Sequence, residues 1–413
     1  MFNVLIGQSG GPTCAINASL AGVIRECLKA PEIGMIYGMI GGIEGVLNDN
    51  IVDITSLFAD GAEEKLSLLS STPSSALGSC RIKLPEPGTT EGDRVYGRIF
   101  SVLEKYSVGA FFYIGGNDSM DTVKKLSQIA DSQACPTRFI GVPKTIDNDI
   151  VMTDHTPGYG SAAKYVASTV QDIAADCSVY SVKSVTIVEI MGRDSGWLTA
   201  ASALPSLHGY GPDYVYMPEV PFDVDSFLAD VEKAHRTHPG VLVCVSEGVK
   251  DKSGEYAGSS DMSGKADVFG NKYLAGTARY LEHVVRERLG CKARGFGLSI
   301  PQRCASYLMS ATDISESEEA GRTAVRAMLG GATGIMVNFI RHGDPYRIEY
   351  STVDVAEVAK KVKYVPSDYI RQAGNMVTKA CFDYILPLTE GEVAQRYEKG
   401  MPAYLPAGFF RKR

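Results

Sequence analysis

Short apolar runs recur along the chain, most of them ending in a glycine-rich or polar turn before apolar residues reappear at helical spacing. Val4-Leu-Ile6 runs into Gly7-Gln-Ser-Gly-Gly-Pro-Thr13. Ile16, Leu20, Val23, Ile24 and Leu28 then mark one face of a helix from Cys14 to about Lys29. Gly34–Ile40 predicts a second strand, closed by the turn Gly41 to Gly45. Val108-Gly-Ala-Phe-Phe-Tyr-Ile114 reads as a buried strand ending in Gly115-Gly-Asn-Asp-Ser119, with Met120, Val123, Leu126 and Ile129 on one face of the helix beyond. Arg138-Phe139-Ile140 leads in the same way into Gly141-Val-Pro-Lys-Thr-Ile-Asp-Asn-Asp149. Glycine-rich turns at several strand ends are what a doubly wound α/β sheet offers, with a ligand lying across its carboxyl edge.

After Asp149 the alternation restarts. A helix is expected from Ser161 to Asp176, then a strand Val182–Ile190 ending in Met191-Gly-Arg-Asp-Ser195, and a short helical stretch from Trp197 to Leu204. Tyr214–Met217 and Val241–Val245 predict further strands, the latter ending in Ser246-Glu247-Gly248. Residues 250–272 are polar and rich in Gly and Ser, as in a surface loop. A helix follows at Tyr273–Leu289, with Leu274, Leu281, Val284 and Val285 apolar, and then a strand opened by Arg294 and closed by Ile300-Pro-Gln-Arg303. Ile314–Leu329 and Gly334–Phe339 supply another helix and strand, and helical patterns near Val353–Lys361 and Ser367–Ala380 predict a helical tail. The pattern is that of an α/β chain with two doubly wound, Rossmann-like domains.

Composition narrows the class. At 413 residues the chain fits two domains, and 45% apolar with 22% charged residues is ordinary for a globular protein. No apolar run reaches the ~20 residues of a transmembrane helix. Met1-Phe-Asn-Val-Leu enters a strand without a basic leader. The nine cysteines never form C-x-x-C and read as small buried hydrophobes of a reducing cytoplasm. A net charge of -7 argues against nucleic-acid binding, so anionic substrates need local basic groups.

Chemistry concentrates at the strand ends. Lys144 to Asp149 pack a cation, a hydroxyl and two carboxylates into six residues. Phosphoryl transfer needs a base for an incoming hydroxyl, a carboxylate near a divalent metal and a charge to meet the moving group. Asp, Asn and Thr are also ordinary turn and cap residues, so this string alone does not decide between chemistry and structure. Gly10 and Gly11, between a strand and a helix N-terminus, suit a phosphate approaching the backbone, and suit equally a tight turn with Pro12 at the helix start. Neither G-x-G-x-x-G nor the P-loop is present. Between them, the Ser-, Pro- and Gly-rich loop 70–92 carries Arg81 and Lys83, which share a side if the loop is extended. Lys83 reads more simply as a solvated charge.

Taken in order, Gly7-Gln-Ser-Gly-Gly-Pro, Gly115-Gly-Asn-Asp-Ser, Pro143-Lys-Thr-Ile-Asp-Asn-Asp, Met191-Gly-Arg, Ser246-Glu-Gly and Pro301-Gln-Arg303 resemble the phosphofructokinase family over about residues 1–340. The longer tail is similar to the pyrophosphate-dependent branch. The resemblance implies a donor domain at 1–150 completed by part of 300–345, a sugar-phosphate domain at 151–300 and a helical extension at 346–413. The active site would lie in the cleft between the domains. It implies Asp147 as general base toward the 1-hydroxyl of fructose 6-phosphate, and Lys144 and Asp118 as further catalytic positions. Gly10, Gly11, Arg81, Gly116 and Ser119 would hold the donor. Thr145, Ile146, Met191, Gly192, Arg193, Glu247, Arg294, Ile300 and Arg303 would join Asp147 around the sugar phosphate, Arg294 and Arg303 as a clamp on its 6-phosphate. Asn117 and Asp149 would hold Mg²⁺. A cytoplasmic homodimer or homotetramer is implied, taking fructose 6-phosphate and pyrophosphate.

Two positions bear on the donor. Where ATP-using relatives have Gly, this chain has Asp118, which would crowd and repel the α-phosphate of ATP. Where they have Gly before T-I-D-N-D it has Lys144, whose ammonium can meet charge on the transferred phosphoryl group; one such preorganised donor is typically worth ~3–4 kcal/mol. Other positions depart from the family. Asn117 stands where a metal-binding Asp is usual, and Mg²⁺ is satisfied by few carboxylates plus waters and substrate phosphates. Ser184, seven residues before Met191, replaces an arginine lent to a neighbouring subunit, and adjacent Lys183 points to the other face of its strand. Ile300 replaces a His or Tyr. The alternatives are an ATP-dependent enzyme, a kinase preferring sedoheptulose 7-phosphate, a dinucleotide-binding oxidoreductase and a silent sugar-phosphate sensor. The missing dinucleotide fingerprint opposes the oxidoreductase, and retention of Lys144 and Asp147 opposes the sensor.

Overall fold

The computed structural model describes residues 1–258, 276–343 and 345–411. In chain order the strands are β1 (Phe2–Gln8), β2 (Ile33–Met39), β3 (Ile51–Asp53), β4 (Val108–Gly115), β5 (Arg138–Pro143), β6 (Ser184–Ile190), β7 (Tyr214–Tyr216), β8 (Gly240–Ser246), β9 (Lys292–Gly297), β10 (Ile335–His342) and β11 (Arg347–Asp354). The helices are α1 (Ile16–Cys27), α2 (Gly42–Leu47), α3 (Ile54–Leu57), α4 (Ala62–Ser71), α5 (Thr90–Lys105), α6 (Asn117–Ser132), α7 (Tyr159–Cys177), α8 (Trp197–Ala201), α9 (Val224–Ala234), α10 (Thr277–Leu289), α11 (Ala311–Leu329) and α12 (Lys379–Ile385). The loop expected at 250–272 lies outside the described residues from 259 onward, as does the expected start of the following helix at 273–275, including Leu274.

A seven-stranded sheet runs β11-β10-β5-β4-β1-β2-β3 and a four-stranded sheet runs β7-β8-β6-β9. In the first, β1, β2, β4, β5 and β10 are parallel to their neighbours, with β3 and β11 antiparallel at the edges. The second is parallel throughout. Helices cover both faces of each sheet, which is why the central strands read as continuous apolar runs rather than as an alternation. Val4, Ile6, Phe112, Ile114 and Ile140 pack on the side of α1 and α11. Leu5, Phe111, Tyr113 and Phe139 pack on the side of α5 and α6. In the second sheet, Val188, Ile190, Leu242 and Cys244 face α7 and α8, while Ile187, Val241 and Val243 face α9 and α10.

The tail departs from the expected helical extension. Val353 is paired with Met336 in the β10–β11 ladder, and Asp354 caps only a short 3-10 turn at Val355–Glu357. A second 3-10 turn at Ser367–Tyr369 follows Pro366, and Gly374 adopts φ +73°, so no helix forms until α12. The apolar residues that suggested helices go to different places. Val355 and Val358 enter the first domain's core; Val365, Val377, Cys381, Ile385 and Leu388 enter the second's. Leu405 and Phe410 return to the first. The tail is therefore a strap sewn through both cores.

α1 and α11 meet backbone to backbone. A methyl group on Gly22 would stand 2.0 Å from the Glu318 carbonyl oxygen, and one on Gly321 2.2 Å from that of Ser19. Arg25 closes the seam with ion pairs to Glu63 at 3.0 Å and to Glu318. Gly22→Ala is expected to cost at least about 1–3 kcal/mol, because neither backbone can give way. Gly97→Ala, in α5 with nothing within 4 Å of the added methyl, should be stabilising by about 0.5–1 kcal/mol. Denaturant unfolding of the two variants checks the contrast.

Candidate functional site

Three glycine-rich turns stand side by side because β1, β4 and β5 are adjacent and parallel. The first is held by the Gly10 N–H donating to Cys80 O at 3.1 Å and by Ser79 Oγ donating to Gly10 O at 2.6 Å. Gly10 has φ +77°, the left-handed region that glycine enters without cost. The second and third are tied together by Lys144 N–H donating to Gly115 O at 2.9 Å. Lys144 then folds back across the sheet edge, its Nζ donating to Gly11 O at 2.5 Å. It is only 2% exposed. Arg303 arrives from the 3-10 turn Ile300–Arg303 beyond β9, and a methyl on Gly11 would stand 3.2 Å from its Nη1.

Above this floor sit the carboxylates. The Asp147 N–H donates to Thr145 Oγ1 at 3.1 Å, and Thr145 Oγ1 donates to Asp147 Oδ2 at 3.4 Å, so the Thr145 hydroxyl steadies the loop. Ile146 is buried in the second domain's core and anchors it there. Burial raises the Asp147 carboxyl above its usual range, against the pull of Lys144, the Thr145 hydrogen bond and Arg303. Burial, then the charge of Asp147, raises Asp149 to about 7. Burial lowers Lys144 from 10.5 to about 8, against the attraction of Asp147 and Asp149. Removal from water thus opposes every charge in this group, and the charges are tolerated because they have opposite signs.

The second domain supplies the facing wall from the ends of β6 and β8. Met191 N–H donates to Gln302 Oε1 at 3.1 Å and Gly192 N–H to Glu247 Oε1 at 3.4 Å. Ser246 Oγ donates to Gly192 O at 2.5 Å. A methyl on Gly248 would stand 1.9 Å from Arg193 O, so the Met191-Gly-Arg and Ser246-Glu-Gly turns are in contact. Burial raises Glu247, and Asp147 lies close enough to add to the effect. Ser195 Oγ donates to Asp147 O at 3.1 Å, which fastens this wall to the carboxylate loop.

Several expected residues stand apart from this group within one chain. Arg294 pairs in register with Thr186, in the first half of β9, and is exposed. Ile300 is 59% exposed. Asp118 is exposed at the start of α6 and pairs at 3.3 Å with Lys83, which is itself a solvent-exposed charge. Arg81 is exposed, yet its charge reaches Lys144. Gly116 precedes α6, and Ser119 is buried beneath Gly115.

Other residues of the site were not singled out in the sequence. Asp194 acts on both Asp147 and Asp149. Its signal was its place directly after Met191-Gly-Arg at a strand end. Gln302 and Ser195 likewise lay inside strings already marked. Lys363 and Tyr384, from the tail, reach the loop from behind and had no local signal.

The donor set suits a hard cation. Asn117 Nδ2 donates to Asp149 Oδ2 at 3.4 Å, while Asn117 Oδ1 is buried without a hydrogen-bond partner. One amide oxygen and one carboxylate leave most of an octahedral shell to substrate phosphate and water, which is the way Mg²⁺ is commonly held. Among the described residues no group of three or more His, Cys, Asp or Glu is placed to hold a metal ion.

The parallel strands of two sheets bring a buried lysine, an arginine and paired aspartates together at their ends, an arrangement suited to phosphoryl transfer. The family model for phosphofructokinase matches residues 3–328, and the chain belongs to that family. It is 38% identical over 412 residues to the pyrophosphate--fructose 6-phosphate 1-phosphotransferase of Xanthomonas campestris pv. campestris, covering 98% of this chain and 95% of that protein. It is 36% identical over 408 residues to the protein of the same name from Methylococcus capsulatus, again covering 98% and 95%. The solved pyrophosphate-dependent phosphofructokinase of Nitrosospira multiformis superposes with a TM-score of 0.86 at 35% identity, covering 97% of this chain and 95% of that one.

The buried ammonium has a consequence for stability. Lys144 is held at about 8 against 10.5 unfolded, so below about pH 8 it is charged in both states and folding bears the full cost of burying it. A shift of that size corresponds to roughly 3 kcal/mol, a cost that fades as pH rises from about 8 toward 10.5. Lys144→Met is therefore expected to raise the thermal midpoint at pH 7 by about 1–3 °C despite the lost bond to Gly11 O. A midpoint that falls would contradict the electrostatic reading.

Proposed function

We propose that the protein is a Mg²⁺- and pyrophosphate-dependent phosphofructokinase, transferring a phosphoryl group reversibly from pyrophosphate to the 1-hydroxyl of fructose 6-phosphate. The observation that carries the donor is Lys144, buried in the floor, bonded to Gly11 O and electrostatically coupled to Asp147 and Asp149. Asp118 is exposed and its charge is already met by Lys83, so it contributes bulk at the mouth while Lys144 selects the donor.

In the forward reaction the sugar 1-hydroxyl oxygen attacks the terminal phosphorus of pyrophosphate. Its proton passes to the Asp147 carboxylate, the bond from that phosphorus to the bridging oxygen breaks, and the electron pair leaves with inorganic phosphate. Thr145 and the Ser195 bond to Asp147 O fix the base. Lys144 and Arg303 meet the negative charge that spreads over the phosphoryl oxygens, and Arg303 Nε, buried without a hydrogen-bond partner, is a donor awaiting an oxygen. The turns at Gly10–Gly11 and Gly116–Ser119, with Arg81 at the rim, cradle the donor. Met191, Gly192, Arg193 and Glu247 line the sugar side, and Arg294, set apart within the chain, is available to a second subunit's site. Asn117 Oδ1 and Asp149 would hold Mg²⁺, which would supply neutralising positive charge to the diphosphate. The forward step trades a phosphoanhydride bond for a phosphate ester; in reverse, inorganic phosphate attacks the ester phosphorus and the 1-oxygen leaves with the proton from Asp147, so the same residues serve both directions.

Purified protein given fructose 6-phosphate should turn over with pyrophosphate far faster than with ATP, measured as fructose 1,6-bisphosphate formed; the opposite order overturns the donor assignment. Asp147→Ser should lower kcat by about 10²–10⁴ and leave fructose 6-phosphate binding intact. The pH profile follows from Lys144. It is protonated below about 8 and loses its charge above, so kcat/KM for pyrophosphate should fall above about pH 8. Lys144→Met should be slower by about 10²–10³ and lack that alkaline limb.

A further inference from the structure

Lys363 belongs to the tail, yet its polar contacts converge on the carboxylate loop and the turn beyond it. Its Nζ donates to Asp154 O at 2.6 Å, to Asn148 Oδ1 at 3.1 Å and to Thr153 O at 3.3 Å. Its backbone N–H donates to Asp149 O at 2.7 Å. Its carbonyl accepts from Trp197 Nε1 at 3.1 Å, and its ammonium stands 5.2 Å from the centre of that ring. Lys363 is therefore tied to Trp197 of the second core while its side chain grips the segment from Asn148 to Asp154.

Asn148, between the two aspartates, is the residue that most needs holding. It is fully buried and has φ +53°, a conformation uncommon outside glycine. A left-handed residue turns the chain sharply, and here it lets residues on both sides keep their carboxylates in one cluster. Both ends of the Asn148 amide are occupied from the tail. Lys363 takes the oxygen, and the amide nitrogen donates to Tyr384 Oη at 2.9 Å, which in turn donates to Asp154 O at 2.6 Å. Arg341 steadies this arrangement by bonding Tyr384 O at 3.0 Å and Asp154 Oδ2 at 2.9 Å.

We propose that Lys363, with Tyr384, is a positioning residue for phosphoryl transfer: the pair locks the side chain of Asn148 and so sets where the Asp147 and Asp149 carboxylates stand. The inference rests on the functional reading above. It gives the tail a role beyond packing, since the chain after β11 supplies the back support of the reacting groups. Misplacement of a reacting group by about 1 Å can cost about 10²-fold in rate, and that is the effect to look for.

The test compares the parent with Lys363→Met, Tyr384→Phe and Val377→Ala. Val377 is buried in the same part of the second core and bonds no residue of the loop by its side chain. Steady-state kinetics with pyrophosphate and fructose 6-phosphate, calorimetric binding of fructose 6-phosphate and thermal midpoints are measured for each. Lys363→Met should lower kcat by about 10–100-fold and Tyr384→Phe by several-fold. KM and Kd for the sugar should stay within about two-fold in both. Val377→Ala should lose thermal stability and keep its kcat. If Lys363→Met does not fold, Tyr384→Phe, which removes a single oxygen, carries the test. Unchanged kcat in the variants that fold, or a loss no larger than Val377→Ala shows at an equal drop in midpoint, overturns the proposal. A parent that turns over neither pyrophosphate nor ATP overturns the functional reading instead.

Discussion

A single buried ammonium organises the site. Lys144 leaves the end of β5, crosses the edge of the first sheet and bonds the backbone of the β1 turn at Gly11. That reach is possible only because β1, β4 and β5 are neighbours that end together. A cation removed from water must be met by opposite charge or release its proton. Asp147 and Asp149 meet it from above, and they in turn are carboxylates that burial alone would neutralise. Each charge is tolerable because of the others, so the group holds together as a unit. A pyrophosphate entering such a group encounters positive charge beside the glycine-rich turns of β1 and β4.

The second constraint is mechanical. Two separately covered sheets flank the carboxylate loop, and direct links join them. Ser195 to Asp147 is one; the tail provides others by threading from the first core to the second and back. A chain built in this way can hold a cleft between two domains without filling it. The cost is a long segment whose apolar residues serve different cores in turn.

That cost explains where the sequence was readable. The central strands and their glycine turns were legible because each is local: an apolar run, a turn and a helical face occupy consecutive residues. The three turns could be assigned to one edge by the logic of parallel sheets, and the ordered motifs gathered Lys144, Thr145, Asp147, Met191, Glu247 and Arg303. The tail was not legible. Val355 and Val358 recur at helical spacing, but they sit on a 3-10 turn after a strand, and periodicity cannot distinguish these. α5 and α9 went unmarked because their polar residues outnumber a narrow apolar stripe. Lys363 and Tyr384 reach Asn148 over more than two hundred residues of separation, and no short window contains both partners.

The central claim is that the Lys144 ammonium selects the donor. It is tested most directly by the ratio of kcat/KM with pyrophosphate to kcat/KM with ATP, both with fructose 6-phosphate, in the parent and in Lys144→Gly. This ratio should fall by about 10² or more, since one preorganised charge of this kind is typically worth ~3–4 kcal/mol to the transferred group. A ratio that stays within about three-fold of the parent's, which is under 1 kcal/mol, would show that the donor is chosen elsewhere in the cleft.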